Sequence, residues 1–412
     1  MANTLLNPSI ITKRAMVEFK NSMIMLEKVD RQLDKSFEGK IGDTVNVRRR
    51  VRYTAHDAAD ITSNINDTIE GNIPVTLDQR RVVAMQFSSQ ELSLDIEEFS
   101  DRYIRPAMIE LSQQVESSIA EQYKKIFNFT GTPGTNPSTF LQIGEVGAIL
   151  DESGAPMGED VRMACYTPAA SLTLADGLKG VFPSTIATKA IEQALINNYA
   201  GFMVYKSQSL KTHTVGAHGG TPAINGAAQN VTYTASKDGY TQSLITDGWT
   251  NDVTGILLEG DTFTIAGVNS VNPRTRQSTG RLQSFVVRAD ANSGSTTGPA
   301  TLTVSPAIIT SGANQTVAAA PADGALITVT SGTAGAAYTQ NMAFHKDAIT
   351  VAFGQLVAPT GNVQASRETM DGVSVRLVGD YDVLTDNNTW RFDILFGVET
   401  QNPGMAVRHV GA

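Results

Sequence analysis

Five histidines (His56, His213, His218, His345, His409) and one cysteine, Cys165, are the residues best suited to metal or nucleophilic chemistry. Their spacing supports neither. His213 and His218 stand five apart in a glycine-rich connection, and zinc needs two further ligands that this stretch lacks. Cys165 lies in the mostly apolar run Val161–Tyr166, where a buried thiol is expected and no intrachain disulfide is possible. There is no phosphate loop of the form G-x-x-x-x-G-K-S/T and no G-x-S-x-G serine turn. Carboxylates are numerous, yet no motif pairs them for acid–base work. The sequence thus predicts no catalytic, cofactor-binding or metal residues, and a protein that is not an enzyme.

The charged residues that do form a pattern are arginines. Val45, Val47, Val51 and Tyr53 alternate with Asn46, Arg48, Arg50 and Arg52, as two faces of one strand, with Arg49 interrupting the apolar face. Ile73, Val75 and Leu77, then Val83, Met85 and Phe87, show the same period of two around Arg80 and Arg81. The polar connection between these limbs carries Asp57, Asp60, Asp67 and Glu70. This predicts a long β-hairpin over 44–88 with a basic face and an acidic tip. Such a hairpin buries little against itself, so it is expected to lie on a neighbouring subunit. Arg48, Arg50, Arg52, Arg80, Arg81, Asp57, Asp60, Asp67 and Glu70 are then the expected inter-subunit contacts.

Other elements must position this hairpin. Residues 9–37 read as an amphipathic helical arm, with Ile10, Ala15, Met16, Phe19, Met23, Leu26 and Val29 on one side. Residues 95–127 read as a long helix, with Pro106 marking a kink or a restart near its front. Residues 135–210 read as α/β: a strand at Val161–Tyr166, a helix capped by Thr167-Pro168, a helix over Thr185–Asn198 and a strand within Gly201–Leu210. From Gly219 to Gln340 only 12 of 122 residues are charged, against 61 of the other 290, and helical periodicity disappears. Runs at Val231–Thr234, Thr262–Ile265, Leu282–Val287, Ala300–Val304 and Leu326–Val329 predict an inserted all-β domain. The α/β pattern resumes at Met342–Leu356. A closing antiparallel pair follows, with Val373, Val375 and Leu377 facing Trp390, Phe392, Ile394 and Phe396 around an Asp386-Asn387-Asn388 turn.

A chain of 412 residues predicts two or three domains, and a net charge of -9 argues against a free nucleic-acid binder. No apolar run is long enough to span a membrane, and Met1–Leu6 does not read as a secretory signal.

The order of arm, charged hairpin, long helix, α/β region and closing strand pair resembles the major capsid proteins of tailed bacteriophages, whose fold is shared with herpesvirus capsids. Ala164-Cys165-Tyr166-Thr167-Pro168-Ala169-Ala170, Asn341–Ile349 and Thr389–Glu399 resemble stretches of that family. The low-charge insertion, with Gly260-Asp261-Thr262-Phe263-Thr264-Ile265-Ala266-Gly267-Val268, is similar to the β-barrel insertion of coat proteins from short-tailed Salmonella-type phages. The resemblance implies an α+β capsid fold. It would run through an N-arm (1–43), E-loop hairpin (44–88), P-domain segment with spine helix (89–134) and first A-domain part (135–218). The inserted β-barrel (219–340), an A-domain return (341–371) and the final P-domain strands (372–412) would follow. It further implies pentamers and hexamers of an icosahedral T=7 shell enclosing double-stranded DNA without sequence-specific binding. Expected partners are other copies, a separate scaffolding protein, a portal protein at one vertex and, optionally, a decoration protein, with no membrane. The expected location is the virion capsid, assembled in the host cytoplasm. The separate scaffold is expected because the chain starts almost directly with the arm. No lysine lies in Val45–Arg81, so covalent cross-linking through the hairpin is not expected. The competing readings are an encapsulin-like compartment, which ordinarily lacks the insertion, a tail or adhesin protein, which leaves the long helix unexplained, and an enzyme on an α/β scaffold.

Overall fold

The computed structural model describes residues 8–33, 44–49, 51–55, 57, 62, 65, 68–88, 100–158, 162–178, 198–359, 364–382 and 387–412. Helix α1 (Pro8–Asn21) is followed by β1 (Thr44–Arg48), β2 (Asn72–Thr76) and β3 (Gln79–Ser88). Then come α2 (Arg105–Ala120), β4 (Phe129–Thr130), α3 (Phe140–Glu152), β5 (Arg162–Tyr166), α4 (Pro168–Leu178), β6 (Asn198–Tyr199), β7 (Phe202–Lys206) and β8 (Thr212–Thr214). The insertion contributes β9 (Gly220–Ile224), a single turn α5 (Tyr233–Ser236), β10 (Gln242–Trp249), β11 (Thr262–Val271), β12 (Ser278–Val287), β13 (Ala300–Ser305) and β14 (Ile327–Val329). The chain closes with β15 (Ala337–His345), β16 (Ile349–Gly354), β17 (Gln364–Met370), β18 (Val373–Asp382), β19 (Asn387–Thr400) and β20 (Ala406–Val410).

These elements form two compact units. The first holds Met1–Asn46, Pro74–Ala120 and Ile349–Glu399. Its five-stranded sheet is centred on β19, which pairs with β18, β3 and β16, while β17 adds outside β18. Trp390, Phe392, Ile394 and Phe396 are buried at period two, as the sequence predicts. Helix α1 opens on Pro8, where the missing N–H costs nothing, and buries Ile11, Ala15, Met16 and Phe19 against α2 and the β17–β18 hairpin. Each large apolar side chain so buried contributes about 2 kcal/mol. Buried Glu116 of α2 accepts the backbone N–H groups of Ile24 and Met25, which fixes the chain leaving α1. The arm helix is shorter than the predicted span. A 3-10 turn, Leu26–Lys28, takes its second half.

The predicted long helix is a π turn at Ser100–Ile104 followed by α2, with residues 95–99 outside the described set. Pro106 sits in the first turn of α2 and therefore marks a start. The hairpin is also shorter than 44–88. Only β1 and β2 pair with each other, while β3 runs antiparallel to β19 from Gln79↔Phe396 to Ser88↔Asn387. Pairing along β19 makes β3 a strand of a five-stranded sheet with α2 beside it, which buries more than a two-stranded ribbon could.

The second unit holds Val47–Ile73, Glu121–Ala348 and Thr400–Ala412. Its seven-stranded sheet runs β4-β20-β15-β5-β7-β6, with β8 also on β15. Ile143, Val146 and Leu150 of α3 and Ala170 and Leu174 of α4 pack with Tyr166, Phe202, Ala343 and Val407 of the strands. The Thr167 hydroxyl accepts the Ala170 N–H at 3.3 Å, the predicted cap of α4. Periodicity does not single out helix α3. Its signal is the capping box Thr139/Gln142, in which each side chain meets the other's backbone N–H. The predicted helix at Thr185–Asn198 lies outside the described residues except for Asn198, which starts β6.

The insertion is a six-stranded sheet, β14-β11-β12-β13-β10-β9. Its two ends approach through an Ala223↔Leu326 bridge and the Ile224 N–H to Ala325 carbonyl bond, so the sheet nearly closes into a barrel. Seventeen buried apolar residues fill it, with Phe263 stacked on Phe285 at 5.7 Å between centroids. The predicted strand at Val231–Thr234 is replaced by α5, and β9 and β10 are strands that the predicted runs omit. Two assignments along the return also differ. β16 and β17, within the expected 341–371 A-domain return, join the β19 sheet, whereas β20, within the expected closing P-domain strands, pairs with β15 in the sheet of β5. A continuous strand at Ala337–His345 likewise carries residues 337–340 out of the barrel.

Because its core closes on itself, residues 219–335 expressed alone are expected to give dispersed amide resonances and a cooperative melt. A collapsed amide spectrum would show that the barrel depends on the rest of the chain.

Candidate functional site

The base of the arginine hairpin lies on the chain's own insertion. The Arg49 guanidinium sits 4.8 Å from the Tyr240 ring centroid, and burial pushes its pKa below the ordinary arginine value. Arg276 donates to the Tyr53 carbonyl at 2.9 Å, and the Asn72 N–H donates to Asp238 at 3.0 Å. Gly71 makes this approach possible, since a Cβ there would lie 2.1 Å from the Lys237 carbonyl oxygen. Arg48 remains 76% exposed and pairs in cis with Glu70 at 3.2 Å. Arg52 and Asp57 are exposed, while Arg50, Asp60 and Asp67 lie outside the described residues.

Arg80 works inside the first unit. It reaches Asp393 at 3.0 Å, alongside Arg391 at 2.8 Å and Arg376 at 3.1 Å. Burial alone would push the Asp393 carboxyl up. Hydrogen bonds from Arg376, Arg391 and Arg80 outweigh it and hold the group below the usual carboxylate range. Arg81, half-buried, touches the Gln79 side chain at 3.4 Å.

The histidines do not converge on a metal, and no cluster of three metal-ligating side chains occurs among the described residues. His213 Nε2 lies 2.9 Å from Asp261, and the Tyr123 hydroxyl lies 3.1 Å from its Nδ1. Asp261 also accepts the backbone N–H groups of Leu258 and Gly216. Burial raises its pKa, but the bonds from His213, Leu258 and Gly216 prevail and keep it low. This row is sealed from solvent, so it positions the start of barrel strand β11 against β8 and offers no access for a substrate. His218 meets the Gly332 carbonyl at 3.0 Å, and His345 accepts the Asp347 N–H at 3.1 Å. His56 lies outside the described residues.

Beside that row lies Arg408, fully buried in β20. It donates to Gln340 at 2.8 and 3.1 Å and to the Gly260 carbonyl, and its guanidinium carbon is 5.1 Å from the Tyr123 centroid and 5.8 Å from that of Phe129. Burial lowers its pKa to about 10 and raises that of Tyr123 to about 12. On the opposite face, where β20 alternates, the Tyr166 hydroxyl lies 3.2 Å from His409 Nδ1. Sequence reasoning missed both residues, because a lone Arg-His in a short run reads as surface.

A family model described as P22 coat protein, gene protein 5, matches residues 1–411. The chain belongs to the P22 coat protein family. It is therefore a phage major capsid protein: a structural subunit with the α+β capsid fold and an inserted barrel, which assembles with copies of itself into the virion shell. Solved structures similar to this coat protein include one from Mycobacterium phage Che8, at 11% identity over 94% of this chain and 90% of that one, with a TM-score of 0.47. The capsid structure of Cyanophage P-SCSP1u is similar at 9% identity over 90% and 84%, with a TM-score of 0.41. The CUS-3 coat protein I-domain shares 28% identity over 27% of this chain and 97% of its own, with a TM-score of 0.20. Comparison with curated proteins gives no match.

Burial pushes His409 of this coat protein from its ordinary 6.5 down to about 4. Below about 6.5 the unfolded chain takes up a proton that the folded subunit refuses. Stability is therefore full above that pH and falls as pH drops toward about 4, by roughly 3 kcal/mol in total. In urea titrations between pH 7 and 4.5, His409→Asn is expected to flatten this slope. A slope unchanged from the parent chain would show that His409 is not its source.

Proposed function

We propose that this coat protein builds a T=7 shell of pentamers and hexamers around double-stranded DNA. It does so in the host cytoplasm with a separate scaffolding protein, a portal protein at one vertex and, optionally, a decoration protein. It carries out no catalysis. The single observation that carries this reading is the family match over residues 1–411, because the work of that family is shell assembly. The inserted β-barrel favours a scaffold-dependent phage shell over an encapsulin-like compartment. Helix α1 supports a scaffold contact: its buried stripe holds it in place while Lys13 and Arg14 stay exposed.

The neighbour contacts are proposed at the exposed part of the hairpin, with Arg48, Arg50, Arg52, Asp57, Asp60, Asp67 and Glu70 as members. Arg80 and Arg81 remain in the proposed set, although Arg80 also reaches Asp393 and Arg81 the Gln79 side chain within the same chain. Each exposed pair is worth at most about 1 kcal/mol, so contacts form and break until the geometry is correct. The segment boundaries inferred from the sequence serve as the proposed domain plan with four changes: the hairpin is shortened to the β1–β2 ribbon, residues 337–340 go with β15, β16 and β17 go with the P-domain sheet, and β20 goes with the A-domain sheet.

Co-expression with and without the neighbouring phage genes, followed by negative-stain microscopy, tests this reading. Closed shells are expected only with a scaffold gene. Replacing Arg48, Arg50 and Arg52 together by Ala is expected to reduce shell yield with the circular dichroism spectrum unchanged. Shells at the parental yield would remove the hairpin from assembly.

A further inference from the structure

Within the second unit, the hairpin base, the barrel and the loop after α3 enclose a cleft of about 500 Å³. Among the described residues five arginines line it: Arg49, Arg52, Arg274, Arg276 and Arg281. Among the described residues the lining holds a single carboxylate, Glu152, which is already paired with Arg281 at 3.2 Å. The cleft is thus strongly cationic in a chain whose net charge is -9. A concave, low-dielectric wall focuses such a field on whatever enters. Tyr53, Tyr233, Tyr240 and Phe129 supply flat aromatic walls beside the guanidinium groups.

A second observation points to a ligand. The Nε atoms of Arg49 and Arg276 are buried and have no hydrogen-bond acceptor among the described residues. Buried donors of charged groups are rarely left so, because the missing bond costs the full desolvation of the group. The acceptor these donors call for is an anion with several oxygens. Planar guanidinium forks fit phosphate oxygens in pairs, and aromatic faces fit a nucleobase. A cleft of this size lies within the range that holds one small molecule.

We propose that this cleft binds a phosphate-bearing anion of nucleotide size, with Arg49 and Arg276 at its floor and Arg52 and Arg274 at its rim. Such a ligand would join the hairpin base to the barrel by bridging residues of both. Occupancy therefore bears on how firmly the hairpin is presented to a neighbouring subunit.

The test is calorimetric titration of the full-length, unassembled chain with inorganic tripolyphosphate and with ATP at about 50 mM salt, where phosphate contacts are least screened. Binding of both is expected; tighter binding of ATP would add the aromatic walls to the site, and equal binding would assign it to phosphate alone. Arg52 and Arg274 are exposed, so R52Q/R274Q is expected to keep the parental circular dichroism spectrum and to weaken binding by about tenfold or more. R14Q, an equal charge change per site on exposed α1, is expected to leave binding as in the parent. No binding by the parent chain, or equal binding by R52Q/R274Q, would overturn the proposal. So would a hexaglutamate peptide that binds more tightly than tripolyphosphate, since the cleft would then be a site for acidic peptide.

Discussion

The larger unit depends on the Arg408 guanidinium, which has no carboxylate in direct contact with it among the described residues. Taking the charge of Arg408 out of water costs several kcal/mol, so it is tolerated only when its surroundings are nearly complete. Those surroundings come from separate parts of the chain: Gln340 from β15, the Gly260 carbonyl ahead of β11, Tyr123 after α2 and Phe129 in β4. Asp261 follows Gly260 directly and is held as an anion by His213, Leu258 and Gly216, which lends opposite charge at short range. Lysine could not take this place, because it lacks the planar face that lies over two rings and the fork that grips one amide oxygen. The barrel therefore joins the sheet at a point where misplacing any one segment strands a buried charge.

The first unit uses the same logic with the signs exchanged. Asp393 lies in the middle strand of its sheet without exposure, and Arg80, Arg376 and Arg391 converge on it from β3, β18 and β19 itself. Three strands are thereby tied to one register, since sliding β3 by one residue would turn Arg80 to the other face. In both units the strongest electrostatic contacts specify the fold of the subunit. What is left outside, such as the Arg48–Glu70 pair, is of the weak and exposed kind.

How far the sequence was legible follows from what each signal encodes. Period two marks a strand and its buried face but carries no information about its partner. This is why β18 and β19, close in sequence, are readable as neighbours, whereas β3, with the same alternation, reads as part of the preceding hairpin although its partner lies some three hundred residues on. The closing turn was legible only in position, since Asn387 and Asn388 already belong to β19. Capping chemistry is local, so Thr167-Pro168 announced α4, and Thr139 with Gln142 would have announced α3. The run Val231–Thr234 is strand-like in composition, yet Thr232 ends it as the residue before a helical turn, and composition does not record that. Arg408 and His409 illustrate the opposite limit. Nothing in their neighbours distinguishes a buried cation from a surface one, because its partners are brought in only by the sheet.

A shell subunit must satisfy two demands that pull apart: its own fold has to be unique, and its contacts with other copies have to be reversible while the shell closes. The division of charge described above meets both. Buried ions that are costly to misplace discriminate between alternative packings of one chain, and they contribute nothing to the surface. Exposed ions discriminate weakly, so in the proposed hairpin contacts a misdocked neighbour could leave. The hairpin joins the two regimes. Its base is fixed by Gly71, Arg49 and Asn72 on the barrel, and its exposed Arg48, Arg52 and Asp57 extend from that base. A contact carried on a fixed base loses less conformational entropy on docking than one carried on a free ribbon. If the neighbour contacts lie on the hairpin as proposed, the inserted barrel is the platform that would give them a defined direction.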